Sequence, residues 1–190
     1  MPPPEFSAVV LAAGRSTRMG CDKALLELDG VPWWRRQHDV LRQAGAAEIF
    51  ISAREEQLWA HGENVVRDTV SGGGPLGGLV AALERAVHGH LAVLAVDLPK
   101  MEAKWFQSLL AECSVGVGAV ARRPGDGDFF EPLAAVYPRE ILGLARTAVA
   151  RGEFSLQRLL RAAEVRGLMQ VRVLGAAESE LFDNWNEPIR

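Results

Sequence analysis

A chain of 190 residues of which 48% are hydrophobic has the length of one ordinary domain and enough apolar material for a continuous core, so a single domain over residues 1–190 is expected. A formal net charge of -3, with no long lysine or arginine run, argues against nucleic acid as a partner, because that binding rests on a basic face. Apolar runs such as Leu91 to Val96 fall far short of the roughly 20 residues that span a bilayer, and Met1 to Glu5 lacks a basic, then apolar, export signal; a soluble, cytoplasmic protein without a membrane partner is expected.

In chain order, strands are predicted at Phe6 to Leu11, Glu48 to Ser52, Asn64 to Val66, Leu91 to Val96, Val115 to Ala121, Leu133 to Tyr137 and Met169 to Val173. Helical patterns fall between most of them, at Trp33 to Gln43, Glu55 to Ala60, Leu76 to Val87, Ala103 to Ala111, Arg139 to Ala150 and Leu156 to Ala163. Strand followed by helix, repeated, predicts an α/β fold: a three-layer Rossmann-like sandwich around a mostly parallel sheet. Ligands of such sheets sit at the carboxyl ends of the strands, so residues just past each strand are the candidates for chemistry. Pro124 to Asp128 is the expected flexible loop between two late strands.

The segment Leu11-Ala12-Ala13-Gly14-Arg15-Ser16-Thr17-Arg18-Met19-Gly20-Cys21-Asp22-Lys23 leaves the first strand at that edge. Ala12, Ala13 and Gly14 let the backbone approach a ligand, and Arg15, Arg18 and Lys23 bring cations to the same mouth, which suits a triphosphate. Arg15 reads equally well as a solvated loop charge. The loop is not a P-loop, because the lysine is displaced and no Ser or Thr follows it; nor is it a Gly-x-Gly-x-x-Gly fingerprint, because Ala12 stands where the first glycine belongs. Cys21 and Cys113 are the only cysteines, without metal-ligand spacing, so neither a disulfide framework nor a zinc site is indicated.

Three further stretches draw attention. Asp68 to Gly78 contains Gly72-Gly73-Gly74-Pro75-Leu76-Gly77-Gly78, which is either a mobile turn or a helix start offering bare N–H groups to an anion. Asp97 follows the most apolar strand and precedes Leu98-Pro99; its carboxylate is either a helix cap or a magnesium ligand at a strand tip, and one carboxylate can suffice for magnesium. In Phe182-Asp183-Asn184-Trp185-Asn186-Glu187-Pro188, Asn184 and Asn186 alternate, so both amides share one side of an extended segment.

Taken in order, Leu-Ala-Ala-Gly-x-Ser-x-Arg-Met-Gly-x-Asp-Lys, the Gly-Pro-Leu-Gly-Gly run after Asp68, Asp97 before its proline-containing turn and the Asn-x-Asn tail resemble the molybdenum cofactor guanylyltransferase family of nucleotidyltransferases, from Val9 to Pro188. The resemblance implies a nucleotidyltransferase-type sheet and the transfer of GMP from GTP to molybdopterin, releasing pyrophosphate. It assigns catalysis to Lys23, Asp97 and Arg18, and nucleotide binding to Leu11, Ala12, Ala13, Gly14, Lys23, Ser52, Asp68, Pro75, Gly78 and Asp97. It further assigns acceptor binding to Asn184 and Asn186, with Asn186 weighted above Asn184, and Mg2+ to Asp97. Related enzymes using CTP with the same pterin, or an NTP with a sugar phosphate, share the opening loop; the Gly-Pro-Leu-Gly-Gly run and the tail favour guanylyl transfer. The implied partners are the two small-molecule substrates, with transient contact to other molybdenum cofactor proteins and a monomeric or weakly oligomeric state.

The chain departs from the family pattern where Ser52 stands for a frequent asparagine, Glu131-Pro132 for a frequent His-Pro, Glu187 for threonine, and where Gly152 to Leu156 lacks a common basic residue. His38, His61, His88 and His90 fall in or beside predicted helices and are read as surface or packing residues. At least one of Trp33 and Trp34 is expected to pack under the sheet edge, and Arg122-Arg123 are either exposed charges or a contact for the acceptor phosphate.

Overall fold

The computed structural model describes residues 5–14, 21–68, 72–125 and 129–183. In chain order its strands are β1 (Ser7–Leu11), β2 (Glu27–Leu28), β3 (Val31–Pro32), β4 (Glu48–Ser52), β5 (Val65–Val66), β6 (His90–Ala95), β7 (Gly118–Arg122), β8 (Ala134–Pro138) and β9 (Met169–Val173). The helices are α1 (Trp33–Ala44), α2 (Gly74–Arg85), α3 (Ala103–Glu112), α4 (Leu142–Ala150) and α5 (Leu156–Val165). Seven strands form one sheet in the order β5-β4-β1-β6-β8-β7-β9. The chain thus adopts the expected α/β sandwich, with β6 at the sheet's centre and all its residues buried.

Alternating side chains divide the core between the two faces. Ala8, Val10, Ala92 and Leu94 point to a cluster containing Trp33 and Leu41 of α1 and Phe106 and Leu109 of α3. Val9, Leu91 and Val93 point the other way, against Leu76, Leu79 and Leu83 of α2, Ala145 of α4 and Leu159 and Leu160 of α5. Helix α1 shows why its sequence folds there: Trp33, Gln37, Leu41 and Ala44 recur at helical spacing and are its buried residues.

The sheet is mixed. β5, β4, β1 and β6 are parallel neighbours, and β7 pairs parallel with β9, whereas β8 runs against both β6 and β7. Strand β7 begins at Gly118, later than predicted, because Ser114 and Val117 close a tight turn on each other by paired backbone hydrogen bonds. Glu55 to Ala60 is not a helix: it is a turn followed by a single 3-10 turn at Leu58–Ala60, since the Gln57 side chain takes up the Arg54 N–H and holds the chain open. The β2–β3 hairpin goes beyond the predicted elements, although Asp29-Gly30 between Leu28 and Val31 is a strong hairpin signal. Both residues of that turn have positive φ, 55 at Asp29 and 74 at Gly30, the conformation that a two-residue hairpin turn requires. A 3-10 segment at Ala176–Phe182, also unpredicted, closes the described chain, and residues 126–128 of the expected flexible loop lie outside the described residues.

Candidate active site

The register of the parallel strands builds the site. Leu11 stands opposite Ser52 on one side and Ala95 on the other, and Ser52 stands opposite Val66, so four strands end in one row. The segment leaving each strand end therefore emerges at the same edge: Ala12 to Gly14 after β1, Ala53-Arg54 after β4, Arg67-Asp68 after β5 and Val96-Asp97 after β6. These segments, with the start of α2, line a cleft of about 630 Å³, within the size range of small-ligand sites.

Lys23 and Asp97 meet in this cleft. Asp22 caps the 3-10 turn Lys23–Leu25, accepting the Ala24 N–H at 3.1 Å. The Lys23 ammonium then lies 3.5 Å from the Asp97 carboxylate, with side-chain exposures of 17% and 25%, low enough for both charges to remain effective and high enough for a ligand to reach them. The loop cation and the strand-tip carboxylate, to both of which the resemblance assigns catalysis, thus share one mouth.

Leu11, Ala12, Ala13, Gly14, Ser52, Asp68 and Pro75 line the cleft with Lys23 and Asp97. Gly78 does not; it is buried behind the wall, where a Cβ would come within 2.7 Å of the Ser52 hydroxyl oxygen and 3.0 Å of a Leu11 methyl. Its bareness lets α2 sit close beneath the cleft. Gly77 plays the same part for Asp68, whose carboxylate oxygen would lie 2.0 Å from a Cβ there. Arg15, Arg18, Asn184 and Asn186 lie outside the described residues.

Four residues that the sequence did not single out surround the loop after β1. Arg54 donates to the carbonyls of Ala13 at 2.5 Å and Gly14 at 2.6 Å. Gln57 donates to the Ala12 carbonyl at 3.0 Å and to the Asp22 carboxylate at 2.8 Å, and Trp59 donates its indole N–H to the same carboxylate at 2.8 Å. Arg54 was discoverable as a cation two residues beyond a strand end, and Asp22 as the neighbour of Lys23. Gln57 and Trp59 carry no such signal, because they reach the site only through the fold.

The remaining candidates have structural partners. Arg123 pairs with Glu131 and packs its guanidinium over Phe182; Arg122 pairs with Glu164 and covers the Phe130 ring. His90 opens β6 rather than flanking a helix; it is buried, and its Nε2 contacts the carbonyls of Ser114 and Val117 at the end of the sheet remote from Asp97. Trp33 is fully in the core, and Trp34 stacks on Trp59 with centroids 5.3 Å apart. Cys113 bonds the Leu109 carbonyl, and burial pushes its thiol up to about 12. Cys21 is exposed in the loop. Lys100 has its pKa raised by its 2.7 Å hydrogen bond to Asp183, which fastens the last described residue beside the Asp97 turn. Among the described residues no group of three or more His, Cys, Asp or Glu forms a metal cage, and no helix is long and apolar enough to cross a membrane.

Comparison with known proteins agrees with this architecture. The model of the MobA-like NTP transferase domain matches residues 8–168. A protein of Opitutus terrae named "Probable molybdenum cofactor guanylyltransferase" is 44% identical over 187 residues, covering 96% of this chain and 91% of its own. A molybdenum cofactor guanylyltransferase of Pseudomonas putida is 34% identical, covering 98% of this chain and 96% of its own. Among solved structures, the molybdopterin-guanine dinucleotide biosynthesis protein A of Archaeoglobus fulgidus superposes with a TM-score of 0.76 at 21% identity, covering 96% of this chain and 93% of that one. A nucleotidyl transferase of Methanothermobacter thermautotrophicus gives 0.71 at 20% identity, covering 95% and 91%. These two likenesses bear on the fold.

Proposed function

The chain belongs to the MobA-like NTP transferase family, and we propose that it is a guanylyltransferase of one domain, moving GMP from GTP to the phosphate of molybdopterin and releasing pyrophosphate. The observation that carries the proposal is the 3.5 Å approach of Lys23 to Asp97 at a mouth edged by Ala12, Ala13 and Gly14. The names of the relatives, guanylyltransferases over nearly their full lengths, favour GTP and the pterin over the sugar-phosphate alternative.

The reaction must bring two anions together. A phosphomonoester has its second pKa near 6, so at neutral pH the acceptor oxygen is largely deprotonated and attacks the α-phosphorus without a protein base. A phosphorus–oxygen bond to the acceptor forms, the α–β bond breaks in line with it, and pyrophosphate departs. Lys23, together with Arg18 and the amides of the loop beyond Ala12, whose own N–H is taken by the Ser52 carbonyl, offsets the charge that builds on the α-phosphate and the leaving group. Ser52 and Asp68 face the nucleoside, Asp68 supplying acceptor oxygens for its N–H or hydroxyl groups, and Pro75 opens the helix beside it. Asn184 and Asn186 hold the acceptor.

A magnesium ion suits the donors at hand, because it takes one or two carboxylates and completes its shell with water and phosphate oxygens. Asp97 would hold it, and there it would neutralise phosphate charge and polarise the α-phosphate. The reading places this work in the cytoplasm, where a GTP-consuming step has its substrate at hand.

The test is incubation with molybdopterin, magnesium and each NTP in turn, reading pyrophosphate. Release with GTP and not with CTP is expected. Release with CTP alone, or only with a sugar phosphate in place of the pterin, would overturn the assignment.

A further inference from the structure

A buried amide side chain has to find partners for its oxygen and its N–H groups or lose the free energy of their hydration. Gln57 is 4% exposed and does not itself line the cleft. Its partners are nonetheless all at the site. Its oxygen accepts the Arg54 N–H at 2.7 Å, shaping the connection between β4 and β5. Its nitrogen donates to the Ala12 carbonyl and to the Asp22 carboxylate, the two ends of the loop that carries the phosphate-binding residues.

Arg54 completes the grip. With Gln57 on Ala12 and the guanidinium on Ala13 and Gly14, three consecutive carbonyl oxygens of the loop are occupied by donors from one neighbouring turn. A carbonyl oxygen turned toward a triphosphate repels it, so tying up these negative dipole ends favours an anion before one arrives. At the far end, the Asp22 carboxylate would be the nearest competitor for the Lys23 ammonium. It is instead engaged by Gln57, Trp59 and the Ala24 N–H. The carbonyls of Ala12 to Gly14 and the Asp22 carboxylate are thereby held in place before a nucleotide binds, which is what preorganisation means in energetic terms.

We infer that Gln57 and Arg54 are positioning residues for nucleotidyl transfer, a clamp on the β4–β5 connection that sets the loop after β1 and the neighbour of Lys23 in their reactive arrangement. The inference rests on the nucleotidyltransferase reading of the site. It links the nucleoside end of the cleft, where Ser52 and Arg54 leave β4, to the phosphate end at Lys23. Glu56, 2.8 Å from the Arg54 Nε, steadies the guanidinium from the solvent side.

The test uses the full chain with GTP, magnesium and molybdopterin. Pyrophosphate release is followed for the wild type, Gln57→Leu and Arg54→Lys, with GTP affinity measured by calorimetry and folding by thermal midpoint. Gln57→Leu keeps the bulk and removes every polar contact; Arg54→Lys keeps the charge and loses the two-carbonyl fork. A kcat lowered about a hundredfold in the first and about tenfold in the second is expected, with GTP affinity within about threefold, because a misplaced reactive group costs rate more than ground-state binding. A Gln57→Leu protein that melts earlier yet retains wild-type kcat while folded would show a merely structural glutamine and sink the clamp. So would a loss confined to KM. If Gln57→Leu does not fold, the partly exposed Arg54 carries the same decision through kcat. A wild type that binds no GTP defeats the functional reading itself; a wild type that turns over with both variants unimpaired defeats only the clamp.

Discussion

The two halves of the sheet treat the same edge differently. On one side β5, β4, β1 and β6 run parallel and in register, so their last residues form a row and every following loop is delivered to one place. On the other, β8 is antiparallel, and what it brings to that edge is its beginning: Leu133, whose carbonyl accepts the Ala95 N–H at 2.8 Å, is its single contribution to the cleft. The charges nearest the cleft show the contrast, although ion pairs such as Arg42 with Asp39 occur on the parallel side too. In the parallel half Arg54 is turned onto backbone carbonyls and Lys23 faces Asp97 across the mouth, whereas in the other half Arg122, Arg123 and Arg172 meet glutamates. Parallel register concentrates backbone and charge where a ligand can use them; the antiparallel insertion uses its charges to fasten elements together.

That contrast is broken most severely at Lys23. Lys23→Ala removes the cation from the parallel edge while leaving the carbonyl grip of Arg54 and Gln57 in place. Pyrophosphate release is expected to fall about a thousandfold, as when one preorganised charge-stabilising donor is lost, while GTP still binds measurably by calorimetry. Equal loss of binding and turnover would mean that Lys23 only holds the ground state. Next comes Gly77→Ala. On propensity alone the change stabilises a helix interior by about 1 kcal/mol, yet a Cβ there would stand 2.0 Å from the Asp68 carboxylate and 2.3 Å from its carbon, so the carboxylate must move. We expect the KM for GTP to rise about tenfold, the loss of one good polar contact, with the thermal midpoint unchanged or higher. An unaltered KM would remove Asp68 from the nucleoside end.

Legibility in the sequence divides along the same line. The seven sheet strands can be read because most are apolar runs bounded by turn residues, and the row formed by the tips of the four parallel ones brings Lys23 and Asp97 together. The segment after β4 misleads because Glu55 to Ala60 has helical composition, while its structure is decided by Gln57 reaching Ala12, 45 residues away in the chain. No local pattern encodes such a partner. The direction of β8 is also hidden, since an apolar strand reads alike in both directions, and connection length alone does not fix it. The family resemblance makes Gly78 a nucleotide contact, which implies a close approach. The approach is real, but it is of Ser52 and Leu11 to the helix.

The smallest effect on the chemistry should come from the antiparallel half, where a change should fall on stability alone. Arg172 of β9 is 19% exposed, bonds Ser108 and Glu112 of α3 and Glu178 of the closing 3-10 segment, and lays its guanidinium 4.5 Å from the Trp105 ring centroid. It therefore ties three elements that never reach the cleft. Arg172→Met keeps much of the apolar stem but leaves two carboxylates without their shared cation, and each is about one-third exposed and so partly rescued by water. A loss of about 2 kcal/mol in urea unfolding is expected, below the roughly 3–5 kcal/mol of a fully buried broken pair because of that rescue. At temperatures where the variant is folded, kcat and the KM for GTP should equal those of the wild type. A kinetic change without a stability change would mean that the antiparallel half feeds the chemistry after all, and the division between a reactive edge and a fastening edge would have to be redrawn.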